Sequence, residues 1–323
     1  MILRGILALA MPFAGPALAE GFLLQSPVDC ILGQDCFIQQ YMDRDPGQGA
    51  VDFTCAGLSY GGHKGTDFAL PTRADMMAGV NVMAAAPGIV TGVRDGMDDR
   101  GYTPDRRAEL AGRECGNGIV IRHDNGWETQ YCHLKQDSVT VGSGQKVEAG
   151  TVLGQIGQSG NAAFPHVHLS VRDDKGTPVD PFDPDGVLDC EDPGDSTLWA
   201  EPPTYQPGGL LALGFANAIP DYDRIKNGEA AATALPADAP ALVVFAYFFG
   251  PREGDILRLA ITGPQGEVIA DNITLTRDQA QAFRAIGKRR SGASWPAGDY
   301  TATAALVREG AMLDERTTQI TLR

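Results

Sequence analysis

The sequence predicts an all-β chain in two parts, an antiparallel-sheet domain followed by a β-sandwich, and three observations carry that reading. Short runs of alternating apolar and polar residues recur along it, as half-buried strands require. Gly, Pro, Asn and Asp punctuate those runs at turn positions. The composition also breaks once, since all six cysteines and all five histidines lie before residue 191. A length of 323 residues suits two ordinary domains. With 43% hydrophobic and 21% charged residues, the chain is globular rather than disordered.

Residues 1–19 read as a secretory signal peptide. Arg4 gives the positive start, an apolar stretch runs from Gly5 to Phe13, and Ala17-Leu18-Ala19 matches the small-x-small cleavage pattern, so the mature chain is expected to begin at Glu20. The stretch is too short, and too interrupted by Pro12 and Pro16, to span a bilayer. No later segment is apolar enough to do so either. The expectation is an exported protein, periplasmic or extracellular, with no integral membrane segment in the mature chain. Six cysteines behind such a signal imply up to three disulfides, among about 15 possible pairings. Cys30 with Cys36 is the most local closure, and Cys115 with Cys132 would tie the ends of a hairpin.

Residues 20–54 form an N-terminal extension, and 55–190 the first domain. Val80 to Val90, around Pro87-Gly88, reads as a strand pair. Asn117 to His123 alternates, Asp124-Asn125-Gly126 makes a turn, and Trp127 to Leu134 alternates back, which is a hairpin signal. Thr151 to Ile156 and His166 to Arg172 are further strands. Gly96 to Glu114 is polar, a long loop or short helix suited to walling a groove. Residues 191–209, rich in Pro, Gly, Asp and Glu, read as a linker. From 210 to 323, runs such as ALVVFAYFFG, DILRLAITG and DYTATAALVREG fit a sandwich, with Thr276 to Ile286 a short helix or crossover. Pro296-Ala297-Gly298-Asp299-Tyr300 resembles the entry to a late strand of an immunoglobulin-like domain.

The net charge of −15 argues against a nucleic-acid binder, which needs a basic footprint, and equally against docking on anionic lipid. The chemistry concentrates in the histidines. His166 and His168 stand two apart, so in a strand both point to one face. His63 and Asp67 stand four apart and converge if Gly65 lets the backbone bend. A catalytic zinc takes three N or O ligands and keeps one position open. His63, Asp67 and one member of the H-x-H pair supply that number.

Taken in order, HKGTDFALP, YCHL and SGNAAFPHVHLSV resemble the lysostaphin and LytM-type zinc endopeptidases, which cut peptide cross-links of bacterial cell walls. AAAPGIV, GNGIVIRHDNGWETQYCHL and VGSGQKVEAGTVLGQIGQSG follow the same family's core, and the resemblance covers roughly residues 55 to 185. It implies a LytM-like antiparallel sheet that binds one Zn2+ per chain. The implied ligands are His63, Asp67 and His168, and the implied catalytic pair is His133 and His166. Departures are the long Gly96 to Glu114 insertion and the cysteine set, with Cys132 just before His133.

The expected mechanism is attack on a peptide carbonyl by water whose pKa zinc lowers toward about 7. The two histidines would handle the proton and the oxyanion, in either assignment. Tyr131, which shares the parity of His133, and Asn117 are weaker substrate-contact candidates. His123 matches no ligand position and reads as structural. The expected substrate is peptidoglycan or its cross-linking peptides. Alternatives are a non-catalytic regulator of another wall hydrolase, a secreted protease for Gly-rich proteins, and a binding module with a structural metal. The last would want a fourth protein ligand.

Overall fold

The computed structural model describes residues 22–186, 188–190 and 196–323, and the expected signal peptide lies outside them. The first part contains β1 (Phe37–Gln40), β2 (Thr66–Ala69), α1 (Arg73–Ala78), β3 (Asn81–Met83), β4 (Gly88–Arg94) and α2 (Arg107–Leu110). It continues with β5 (Asn117–Arg122), β6 (Glu128–Leu134), β7 (Lys146–Val147), β8 (Val152–Gln155), β9 (His166–Arg172) and β10 (Pro178–Val179). One antiparallel sheet runs β1-β2-β9-β6-β5-β4-β7, with β10 beside β9, while β3 pairs with β8. The N-terminal extension is therefore part of the fold, since β1 pairs with β2 at the sheet edge.

The alternation of β9 explains its place. Val167, Leu169 and Val171 are buried in the core, and His166, His168 and Ser170 face the other way. The β5–β6 hairpin forms where the sequence reading puts it. The expected pairing of β3 with β4 does not occur, because the chain passes through Pro87-Gly88 from one sheet to another. Gly88 serves a close approach instead: a Cβ there would lie 2.5 Å from the Arg122 carbonyl.

The second part contains β11 (Gly209–Ala216), α3 (Tyr222–Asn227), β12 (Ala241–Phe249), β13 (Ile256–Gly263), β14 (Gly266–Thr274), β15 (Gln281–Arg289), β16 (Gly298–Arg308) and β17 (Ala311–Leu322). Two antiparallel sheets, β11-β12-β15 and β14-β13-β16-β17, enclose one core. The helix or crossover expected at Thr276 to Ile286 is largely strand β15. Its neighbours Ala282 and Phe283 go to opposite cores, which hides the alternation.

Strand β12 joins the two parts. Leu242, Val244, Ala246 and Phe248 enter the sandwich core. Phe245, Tyr247 and Phe249 enter the core of the first part, where Phe249 meets Phe37 at a ring separation of 4.5 Å. Burying each such ring contributes on the order of 2–3 kcal/mol. Gln39 Nε2 donates to the Ala280 carbonyl at 2.9 Å, and Gln281 Nε2 donates to Gln39 Oε1 at 2.7 Å. The described part of the expected linker also lies against the first part. Trp199 is buried beside Phe182 and Phe68, and the Tyr205 hydroxyl donates to Asp52 Oδ2 at 2.8 Å. Disulfides join Cys30–Cys36, Cys55–Cys190 and Cys115–Cys132. No helix among the described residues is long and apolar enough to cross a membrane.

Candidate metal centre and active site

The site lies on the polar face of β2, β6 and β9. Register places Asp67 opposite His168, and Cys132 opposite His168 on the other side. Asp67 and His168 therefore share a face across adjacent strands, with a contact of 2.8 Å between Asp67 Oδ1 and His168 Nδ1. His63 arrives from the turn before β2. Its Nε2 lies 3.1 Å from Asp67 Oδ1 and 3.0 Å from His168 Nδ1. Gly65 permits this by close packing rather than by bending: a Cβ there would lie 2.4 Å from the Leu169 carbonyl and 2.6 Å from His168 Nε2.

Both histidine ligand candidates are oriented from behind. The His63 Nδ1–H donates to the Tyr41 carbonyl at 2.7 Å, which leaves the Nε2 lone pair for the cluster. The His168 Nε2–H donates to Ser170 Oγ at 2.9 Å, which leaves Nδ1. Two imidazole lone pairs and a carboxylate oxygen 2.8–3.1 Å apart repel one another unless a cation or proton lies among them. Donors about 2.1 Å from a tetrahedral zinc sit roughly 3.4 Å apart, so the set fits that ion with little movement. The outer hydrogen bonds are of the kind that orient metal-binding histidines. Burial disfavours charge on Asp67, yet His63, His166 and His168 outweigh it and hold its carboxyl well below the usual range. Burial likewise opposes charging of His63, but Asp67 reverses the balance and raises it.

His133 and His166 stand beside this triangle with ring centroids 4.6 Å apart. The His133 Nδ1–H donates to the Ser159 carbonyl and the His166 Nδ1–H to the Phe164 carbonyl, each at 2.8 Å. Both Nε2 atoms are thus lone-pair acceptors. Burial, aided by His166 and His168, pushes His133 well below the ordinary histidine range, and burial also lowers His166. Both rings are neutral near pH 7.

The way His133 reaches this face corrects the parity argument. Strand alternation would put it with Tyr131 in the core, but His133 has φ +64°, a left-handed conformation rare for a residue with a Cβ. That backbone twist turns the ring across the sheet. A hydrogen bond of 2.8 Å from His133 N to the Cys115 carbonyl, beside the Cys115–Cys132 disulfide, holds it there. Strain of this kind persists where surrounding structure fixes it, often at functional sites.

Two substrate-contact candidates have other work. Tyr131 is fully buried, and its hydroxyl accepts from Ala85 N at 2.7 Å. Asn117 is fully buried too; its amide donates to the Met97 and Leu134 carbonyls, and its oxygen accepts from Met97 N. Neither side chain is free for a ligand. His123 is also spent, with Nδ1–H donating to the Pro87 carbonyl at 2.8 Å and Nε2 3.0 Å from Thr129 Oγ1. Sequence reasoning missed Ser170, which strand parity after His168 would have found. It missed Tyr60, whose half-exposed ring lies 4.4 Å from that of His63, and Phe164, 4.6 Å from His166; no local pattern marks those two.

Residues 61–181 match Peptidase family M23. The DD-carboxypeptidase/endopeptidase Mpg of Neisseria meningitidis serogroup B is 36% identical over 121 residues, 37% of this chain and 22% of that protein. The peptidoglycan DD-endopeptidase ShyA of Vibrio cholerae serotype O1 is 34% identical over 109 residues, 34% of this chain and 20% of that protein. The chain thus spans about a fifth of the length of these curated relatives. Among solved structures, the catalytic domain of the prophage-encoded M23 protein EnpA from Enterococcus faecalis aligns with a TM-score of 0.33 at 22% identity, covering 50% of this chain and 96% of that one.

Proposed function

Residues 61–181 are a Peptidase family M23 domain of the LytM type, and from that premise we propose that the chain is an exported zinc endopeptidase cutting the peptide cross-links of peptidoglycan. The observation that carries this reading is the triangle of His63 Nε2, Asp67 Oδ1 and His168 Nδ1, closed at 2.8–3.1 Å with two histidines beside it. The names of the curated relatives support the substrate, and three disulfides support an oxidising compartment. In this reading residues 55–190 are the catalytic domain, and 210–323 an immunoglobulin-like sandwich fixed to its side.

His63, Asp67 and His168 would hold the zinc, which would supply Lewis acidity to the scissile carbonyl and to a water. The remaining chemistry belongs to the chain. His133 and His166, with Nδ1–H tied to backbone carbonyls, present Nε2 to accept the proton of the attacking water. The ring that takes it becomes an Nε2–H donor, able to stabilise the developing oxyanion or protonate the leaving amine. Burial disfavours the charged ring, so the proton is passed on readily.

The test is metal content and muropeptide release, measured together on the mature chain and on His133→Ala. Zinc in both with release by wild type alone, and a loss of about 10²–10⁴-fold in the variant, is expected. A folded wild type that binds no zinc would overturn the reading. Zinc without release by either would favour a regulator.

A further inference from the structure

A cleft of about 450 Å³ opens between the two parts of the molecule, beside the catalytic histidines. Arg73, Tyr102, Gln158 and Phe164 line it from the first part, and Lys226 and Tyr247 from the second. Its volume is within the range of small-ligand sites. Phe164 links it to the chemistry, since one face of the cleft is the ring that lies 4.6 Å from His166. The loop carrying Gln158 also holds His133, through the Ser159 carbonyl.

The charges in this cleft are uneven. Lys226 pairs with Asp223 at 2.7 Å, and Arg100, at the rim, pairs with Asp98 at 2.7 Å. Arg73 differs. It is half-buried at the first position of α1, whose start is fixed by the reciprocal hydrogen bonds of Thr72 and Asp75. Among the described residues its hydrogen bonds go to uncharged oxygens, Gln158 Oε1 at 2.7 Å and the Asp99 carbonyl at 2.9 Å. Those bonds aim the guanidinium without neutralising it. An aimed, half-buried guanidinium with N–H groups to spare suits a planar carboxylate. In a chain of net charge −15, it is an isolated attractive point for an anion.

We propose that this cleft is a substrate subsite, in which Arg73 binds a free carboxylate on the peptide flanking the scissile bond and the sandwich domain supplies the opposite wall. The proposal rests on the peptidase reading above. It makes the second domain part of substrate selection, and it makes Arg73 a specificity determinant.

The experiment uses two synthetic cross-linked peptides, identical except that a residue flanking the scissile bond carries a free carboxylate in one and a carboxamide in the other. Cleavage is measured with the zinc-loaded full chain. Binding is measured by calorimetry in the His133→Ala background, where the expected turnover is slow enough not to interfere. Wild type should prefer the carboxylate by about 10- to 100-fold in kcat/KM and in Kd. Arg73→Gln should abolish that preference, lowering the carboxylate peptide far more than the carboxamide peptide with zinc content unchanged, and Arg73→Lys should restore part of it. Lys226→Ala, which leaves Asp223 uncompensated on the opposite wall, should weaken the carboxylate peptide alone, by about threefold. Equal loss of both peptides in Arg73→Gln would make Arg73 a structural support and overturn the subsite. Equal cleavage and binding of both peptides by wild type would overturn it while leaving the peptidase reading intact. Arg73-dependent carboxylate binding without any cleavage would do the reverse. Failure to bind either peptide would remove the subsite as well.

Discussion

Strands β9 and β12 are both central in their sheets and carry opposite sequence patterns. In β9 (HVHLSVR) apolar residues alternate with His, His and Ser, and on that polar face His168 joins His63 and Asp67. In β12 (ALVVFAYFF) the apolar run is nearly unbroken, and its two faces feed two different cores. Alternation marks a strand with one face kept for chemistry, while an unbroken run marks a strand covered on both sides. The difference separates a working surface from a joint.

The strongest test of the working surface is Asp67→Ala. It should remove bound zinc and all measurable release, because two histidines cannot hold the ion against water as three ligands do. The circular dichroism of the β-sheets should be unchanged. If zinc stays bound stoichiometrically, the His63, Asp67 and His168 assignment fails.

The joint is tested by Phe245→Ala, whose ring lies in the core of the first part although its strand belongs to the sandwich. The loss should be about 3–5 kcal/mol, with zinc released at lower denaturant than from wild type. Phe248→Ala, on the sandwich side of the same strand, is the control. A Phe245→Ala protein that releases zinc at the wild-type midpoint would show two independent domains.

Much of the site was legible because it rests on local patterns. The H-x-H spacing on a strand, and the H-x-x-x-D element before it, specify side chains that register then brings together as Asp67 opposite His168. What was not legible depends on non-local geometry. His133 reaches the site through a left-handed φ that strand parity does not allow for, so parity grouped it wrongly with Tyr131. The joint was visible as ALVVFAYFFG, but a run buried on both faces does not say which partner covers the second face. Arg73 carried no signal, since its setting is assembled from residues 85 positions away at Gln158 and 26 away at Asp99.

Tyr131 gives a smaller test of that parity error. Tyr131→Phe leaves Ala85 N without its buried acceptor, at a cost of about 1–3 kcal/mol. The kcat/KM for wall peptides should not change. A drop in turnover at unchanged stability would return Tyr131 to the substrate and restore the parity argument.

The smallest effect expected separates two histidines of one hairpin. Among the described residues His133 hydrogen-bonds through Nδ1 alone and leaves Nε2 toward the His63–Asp67–His168 set, whereas His123 uses both ring nitrogens on Pro87 and Thr129. Burial holds His123 below the ordinary histidine value near 6.5, outweighing its hydrogen bond to Pro87. The unfolded chain therefore binds the proton more readily than the folded one. The stability contributed by neutral His123 is complete above pH of about 6.5 and declines as pH falls through that value toward the lower folded one. His123→Gln removes this titration. Melting temperatures of wild type and variant, measured from pH 7.5 down to 5.5, should converge as the pH drops. A gap that stays constant would mean that His123 titrates alike in both states, and that its burial imposes no net cost on charging the ring.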